Sequence, residues 1–337
     1  MQRVQMEIPD PGIPVPVADG IFWLRLRLPF ALDHVNIWIV DDGSSWTLID
    51  TGLGDASTKD VWDSLLGGFL DGRPVRRVLA THFHPDHAGN VGSLVARTGA
   101  ELLMSRTEWL TARMLALDTS DDFVASGRQF DQSNALNDDL VQKRSERGNY
   151  YRRGVDPIPY GFTRLQAGDT MELAGSTWRV IIGEGHSPEQ ITLHAADRNL
   201  LIAADQILPS ISPNVAVWPS EPAADPLGAF LRSLDHYQQV GDDALILPSH
   251  KWPFTGLQDR IAQLQHHHEE RLEATLQACR KPVTAAAVMA ALFPRALDLH
   301  QVSFALGETL AHLNRLVATG QLGRERGGDG VNLYRTA

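Results

Sequence analysis

The sequence predicts an α/β fold followed by a small winged-helix domain, on three observations. Short runs rich in β-branched and aromatic residues alternate with segments of helical period, the pattern of sheet and flanking helices. Histidines and aspartates gather just past the ends of several of those runs, where loops from neighbouring strands converge. From about residue 258 the chain turns alanine-rich and ends in the order helix, helix, hairpin.

Residues 21–28 (IFWLRLRL) and 35–40 (VNIWIV) read as strands, Asp41-Asp42-Gly43 as a turn, and 45–49 (SWTLI) as a strand stopping at Asp50-Thr51-Gly52. A helix is expected over 56–70, ended by Gly72 and Pro74. Strand 76–80 (RRVLA) runs directly into a histidine cluster. Helical segments follow at 88–98, with Gly99 as the C-cap, and at 106–117, where Ser105 and Glu108 have capping-box spacing. Residues 118–161 are polar and mixed in charge, and read as a partly helical insertion of the kind that forms lids. Strands resume at 177–183, 190–195 and 199–204, Asp225-Pro226 opens a helix, and strand 244–248 follows. The tail holds a helix over 258–280, a second begun by Pro282 and Thr284, a third over 300–319, and a closing hairpin. The expected domains are therefore 1–257 and 258–337.

A chain of 337 residues, 43% of them hydrophobic, has material for two cored domains. Its 30 basic and 41 acidic residues leave a net charge of −11, which repels phosphate backbones and counts against nucleic acid as a partner. Cys279 is the single cysteine, so neither an internal disulfide nor a thiolate metal cage can form. Residues 1–20 lack the apolar centre of a signal peptide and no run of about 18 apolar residues occurs, so the expectation is a cytoplasmic protein without a membrane partner.

The strongest local signal is Thr81-His82-Phe83-His84-Pro85-Asp86-His87. In an extended stretch His82 and His84 point to the same side and can share one metal, while Asp86 and His87 open the next helix and face elsewhere. Imidazole with carboxylate suits zinc, and also iron or manganese. His186, Asp205 and His250 each follow the end of an expected strand and complete the set.

This pattern resembles the metallo-beta-lactamase superfamily, whose fold is a four-layer αβ/βα sandwich; the resemblance covers about residues 20–256. It implies a first metal on His82, His84 and His186, a second on Asp86, His87 and His250, and Asp205 as the bridging carboxylate. Asp50 matches the aspartate that supports the ligand loop, and Asp86 and Asp205 are the residues expected to act directly in catalysis. The seven-ligand set is similar to that of glyoxalase II, and a looser likeness joins the tail to a beta-lactamase-like branch that includes endoribonucleases. Pro248-Ser249-His250-Lys251-Trp252 departs from the commoner Pro-Gly-His-Gly.

The expectation is thus a hydrolase with two Zn²⁺, in which a hydroxide shared by the ions attacks the carbonyl of a thioester, acyl-CoA or acyl-glutathione, or of a lactone. The alternatives on the same fold are an endoribonuclease and a sulfur dioxygenase with a single iron. The expected partner is a small-molecule substrate. The C-terminal domain suits packing or homodimerisation better than DNA binding, given the acidic chain. His34 reads as a structural histidine, His266-His267-His268 as a solvated or interface helix, and Tyr150 to Arg153 either as a grip on an anionic substrate group or as polar loop surface.

Overall fold

The computed structural model describes all residues, Met1 to Ala337. The chain divides into two compact units, one of Met1–Leu117, Tyr150–Pro213 and Leu234–Ile261, the other of Asp118–Asn149, Asn214–Ser233 and Ala262–Ala337.

The first unit begins with strands β1 (Gln2–Arg3), β2 (Val15–Ala18), β3 (Ile21–Arg27), β4 (His34–Asp41) and β5 (Trp46–Ile49). Then come α1 (Ala56–Leu66), β6 (Val75–Leu79), α2 (Pro85–Ala88), α3 (Val91–Thr98), β7 (Glu101–Met104) and α4 (Arg106–Leu117). After α5 (Asp121–Ser133) and α6 (Asp138–Arg147) of the second unit, it resumes with a 3₁₀ turn at Tyr150–Arg153, β8 (Thr163–Arg164), β9 (Thr170–Leu173), β10 (Ser176–Gly183), β11 (Gln190–Ala195) and β12 (Leu200–Ala204). Beyond α7 (Pro226–Ser233) lie β13 (Leu245–Pro248) and β14 (Phe254–Thr255).

Two seven-stranded sheets result, ordered β2-β3-β4-β5-β6-β7-β8 and β1-β14-β13-β12-β11-β10-β9. The strict alternation of side chains along a strand divides each sheet's apolar residues between two layers. In β4, Val35, Ile37 and Ile39 pack with Trp62 and Leu65 of α1 and Leu94 of α3, while Trp38 and Val40 face the other way, against Trp178, Val180 and Leu193 of the second sheet. Thr192, on the opposite face of β11 from Leu193, bonds Tyr237 Oη at 3.0 Å, which places the 234–237 turn over that sheet's outer face. Helix, sheet, sheet and outer cover give the layered sandwich that the family resemblance implies.

The strands and helices of the first unit lie within a few residues of their expected positions. Not foreseen were β1, β2, β7, β8, β9 and β14, all of them only two to four residues long, too short for alternation to register.

The second unit adds α8 (Leu257–Ala278, from Ala262), β15 (Val283–Thr284), α9 (Ala285–Leu292), α10 (Leu299–Ala318), β16 (Leu322–Arg326) and β17 (Asn332–Thr336), the strands forming a sheet ordered β15-β17-β16. Its extent differs from the expected 258–337, because 118–149 and 214–233 join it. The bonds are specific: Ala286 N–H donates to Asn134 O at 3.0 Å, Arg144 Nε to Asp131 Oδ2 at 2.7 Å, and Asn314 Nδ2 to Ala224 O at 2.8 Å. No helix is long and apolar enough to cross a membrane.

Candidate metal centre

Strand ends deliver every candidate ligand. His82, His84, Asp86 and His87 follow β6, His186 follows β10, Asp205 follows β12 and His250 follows β13. After β6 the chain bends through residues 81–84, then Pro85 takes the first position of α2, where its missing N–H is harmless.

The geometry brings all seven together. His82 Nε2, His84 Nδ1 and His186 Nε2 form a triangle with edges of 2.9, 3.0 and 3.3 Å. Asp86 Oδ2 lies 3.6 Å from His87 Nε2 and 3.5 Å from His250 Nε2. Asp205 Oδ2 stands between the two groups, 3.4 Å from His186 Nε2, 3.7 Å from His87 Nε2 and 3.3 Å from His250 Nε2.

The far sides of the rings are fixed by other residues. Asp50, held at φ 65°, accepts from Thr81 N–H at 2.7 Å, Thr81 Oγ1 at 2.9 Å and His87 Nδ1 at 2.8 Å. His250 Nδ1 donates to His34 O at 2.9 Å, and His34 Nε2 accepts from Lys251 N–H at 3.1 Å, so His34 is the structural histidine expected. In both ligand rings the Nδ1 proton is spoken for, so Nε2 is the atom that faces the cluster and would supply the lone pair to a bound cation.

Burial, then the neighbouring rings, holds His82 and His84 well below the ordinary histidine range, so both are neutral. Burial also presses His87 and His250 down, but nearby carboxylates outweigh it: Asp86, Asp205 and Asp50 raise His87 well above the usual value, and Asp205 and Asp86 raise His250. Burial would raise Asp205, yet the charges of His250 and His87 hold its carboxyl well below the usual range.

The donor set fits a divalent cation. His87 Nε2, His250 Nε2 and Asp205 Oδ1 are buried with no hydrogen-bond partner, which a native interior rarely tolerates without a ligand or ion. Tetrahedral zinc about 2.0 Å from imidazole nitrogens separates them by roughly 3.3 Å, close to the His82, His84 and His186 edges. Three groups have ligand atoms all within 4.8 Å of one another: His82, His84, His186; His82, His87, Asp205; and Asp86, His87, His250.

Sequence reasoning missed Glu189 and misread Ser105 and Glu108. The capping box expected from Ser105 and Glu108 does not form. Ser105 Oγ has no partner, and Glu108 Oε2 accepts from Phe83 N–H at 2.8 Å while Oε1 accepts from Glu189 N–H at 2.7 Å. Burial pushes the Glu108 carboxyl up to about 7. Glu189 Oε2 in turn accepts from Thr107 N–H at 2.8 Å, and Tyr151 Oη donates to Phe83 O at 2.6 Å. Tyr151 and Arg152, weighed as an anion grip, are engaged by backbone carbonyls, the latter by Ala116 O at 3.1 Å. His266 is exposed beside Glu269 and Glu270, whereas His268 is buried against His312. A cavity of about 490 Å³ in the second unit, bordered by Phe130, Asn134, Arg324 and Arg326 among others, contains none of the seven residues.

Comparisons with known proteins give the family. The description "Metallo-beta-lactamase superfamily" matches residues 31–250, and "Metallo-beta-lactamase-like, C-terminal domain" matches 272–337. A solved beta-lactamase domain protein from Burkholderia ambifaria is 41% identical, with a TM-score of 0.90, over 98% of this chain and 96% of that one. An acyl-coenzyme A thioesterase of Homo sapiens is 27% identical over 199 residues, 57% of this chain and 64% of the relative, so the chain spans somewhat less than two thirds of that relative's length. A hydroxyacylglutathione hydrolase of Pseudomonas aeruginosa is 34% identical over 101 residues, 30% of this chain and 38% of that protein. With the first match spanning more than half of its length, the chain belongs to the metallo-beta-lactamase superfamily.

Proposed function

We propose that the protein is a hydrolase with two divalent ions, zinc by its ligand chemistry, that cleaves thioesters of the acyl-CoA or acyl-glutathione type. The observation that carries the two-ion reading is the position of Asp205 Oδ2, within 3.3–3.7 Å of His186 on one side and of His87 and His250 on the other. In this reading His82, His84 and His186 hold one ion, Asp86, His87 and His250 the other, and Asp205 both. The thioesterase and hydroxyacylglutathione hydrolase relatives support the substrate class.

When bound, such ions supply an ionised water near neutral pH and a positive field for charge developing on a carbonyl oxygen. The chain's own residues prepare the rest. His82 and His84 are kept neutral, as ligands must be. The Asp50 carboxylate and the His34 carbonyl hold the Nδ1 protons of His87 and His250 away from the centre. No serine or cysteine nucleophile is needed; Cys279 is buried in the second unit. A thiolate is a good leaving group, since thiols of the cysteine type ionise at about 8.5, so the site needs no dedicated acid.

The test is thiol release from a panel of acyl-CoA and acyl-glutathione thioesters, with Asp205→Ala as control. Turnover by the wild-type protein that falls by at least about 100-fold in the variant is expected, as for loss of a group central to charge stabilisation. Absence of thiol release from protein shown to carry its metals overturns the thioesterase reading.

A further inference from the structure

We propose that Glu108 is a positioning residue for the triad His82, His84 and His186, clamping together the two loops that carry it. The inference rests on the metal-centre reading above.

Glu108 stands in the first turn of α4 with no exposed surface. Buried carboxylates are rare unless a cation pairs with them, and Glu108 meets donors instead. Phe83 N–H and Glu189 N–H each take one of its oxygens. These partners are not scattered. Phe83 is the residue between His82 and His84, and Glu189 lies three residues beyond His186. One carboxylate therefore spans both chain segments that supply the three imidazoles.

Two further bonds tighten the arrangement. Glu189 returns the contact by accepting from Thr107 N–H, so α4 and the His186 loop exchange bonds in both directions. Tyr151 Oη holds Phe83 O, so the N–H and the C=O of the residue between two ligands are both fixed by side chains. A helix start needs none of this. Ser105 is in place to cap α4 locally and its hydroxyl is unpartnered, while a longer, charged side chain is buried at greater cost and turned toward the ligand loops. Imidazoles whose nitrogens must stay about 3 Å apart need a backbone that cannot drift, and residues behind ligands set that precision.

The experiment is chelator-competition titration of purified protein with Zn²⁺ alone, with melting of each metal-stripped protein measured in parallel. Glu108→Gln keeps the shape of the side chain but turns a donor toward one of the two N–H groups. It is placed in two backgrounds, His250→Ala, which keeps the first triad whole, and His84→Ala, which keeps the second. The expected result is weakening by about 10- to 100-fold in the His250→Ala background and no change in the His84→Ala background. Tyr151→Phe, which removes only the bond to Phe83 O, is expected to weaken the same background by less, and carries the test if Glu108→Gln does not fold. Equal weakening in both backgrounds, or unchanged affinity with a lowered melting temperature, overturns the clamp and leaves the metal reading standing. A wild-type protein that binds no Zn²⁺ removes the metal reading and the clamp with it.

Discussion

Asp50 shows how much one residue behind a ligand can decide. It is 1% exposed and sits at positive φ, a conformation that costs a non-glycine residue about 1–3 kcal/mol and persists where surrounding bonds enforce it. Those bonds are with the Thr81 backbone, the Thr81 hydroxyl and His87 Nδ1. In Asp50→Asn the oxygen facing Thr81 N–H can be kept only by turning an NH₂ toward His87 Nδ1. The ring then accepts at Nδ1 and carries its proton on Nε2, where the lone pair is needed. Metal affinity is expected to fall about 10- to 100-fold, read as metal retained after dialysis against a chelator, with the circular dichroism spectrum unchanged. At this scale the sequence was informative. The seven cluster residues stood out in the sequence because ligand chemistry limits which side chains can do the work, and Asp50 was named through the family resemblance.

Elements follow local rules until packing overrules them. The Ser105 and Glu108 spacing correctly marked the start of α4, yet the side chains took other partners. A capping box does form at α10, between Asp298 and Gln301. The same helix holds Gly307 in its interior, where alanine is intrinsically better by about 1 kcal/mol. A Cβ there would lie 2.7 Å from Ala216 Cβ and 3.3 Å from Val217 O, and Val217 N–H bonds Gly307 O at 3.1 Å. Overpacking of that kind costs typically about 1–3 kcal/mol, which outweighs the propensity gain. Gly307→Ala is therefore expected to lower the urea midpoint, by about 1 kcal/mol of stability, and a raised midpoint would show that the 214–217 segment yields easily.

For the molecule as a whole, a second pair of buried histidines, in the other unit from the metal centre, contributes to acid sensitivity. His268 Nδ1 meets His312 Nε2 at 3.2 Å, with the Phe230 ring, His267 and Arg271 beside them and Glu308 O accepting from His312 Nδ1. Burial first, then the neighbouring histidines and Arg271, lowers His268 to about 3 and His312 to about 4 from an ordinary 6.5. The unfolded chain takes up these protons below pH 6.5 and the folded chain refuses them until pH 3–4. The stabilisation is therefore complete above pH 6.5 and declines as pH falls toward 4, by up to about 1.4 kcal/mol per pH unit for each histidine. The melting temperature is expected to drop between pH 7 and pH 5, and His312→Leu to flatten that slope. An identical slope in the variant would place the acid sensitivity elsewhere.

The sequence by itself determined the kinds of element, their approximate limits and the identity of the residues that gather at the centre. These depend on periodicity, breakers and side-chain chemistry, all written within a few neighbouring positions. Tertiary structure alone decided that Glu108 serves Phe83 and Glu189 rather than Ser105, and that 118–149 belongs with the C-terminal helices. Each of those depends on partners dozens to more than a hundred residues away. Which distant groups meet is fixed by the packing of whole layers, and no local stretch of chain encodes it.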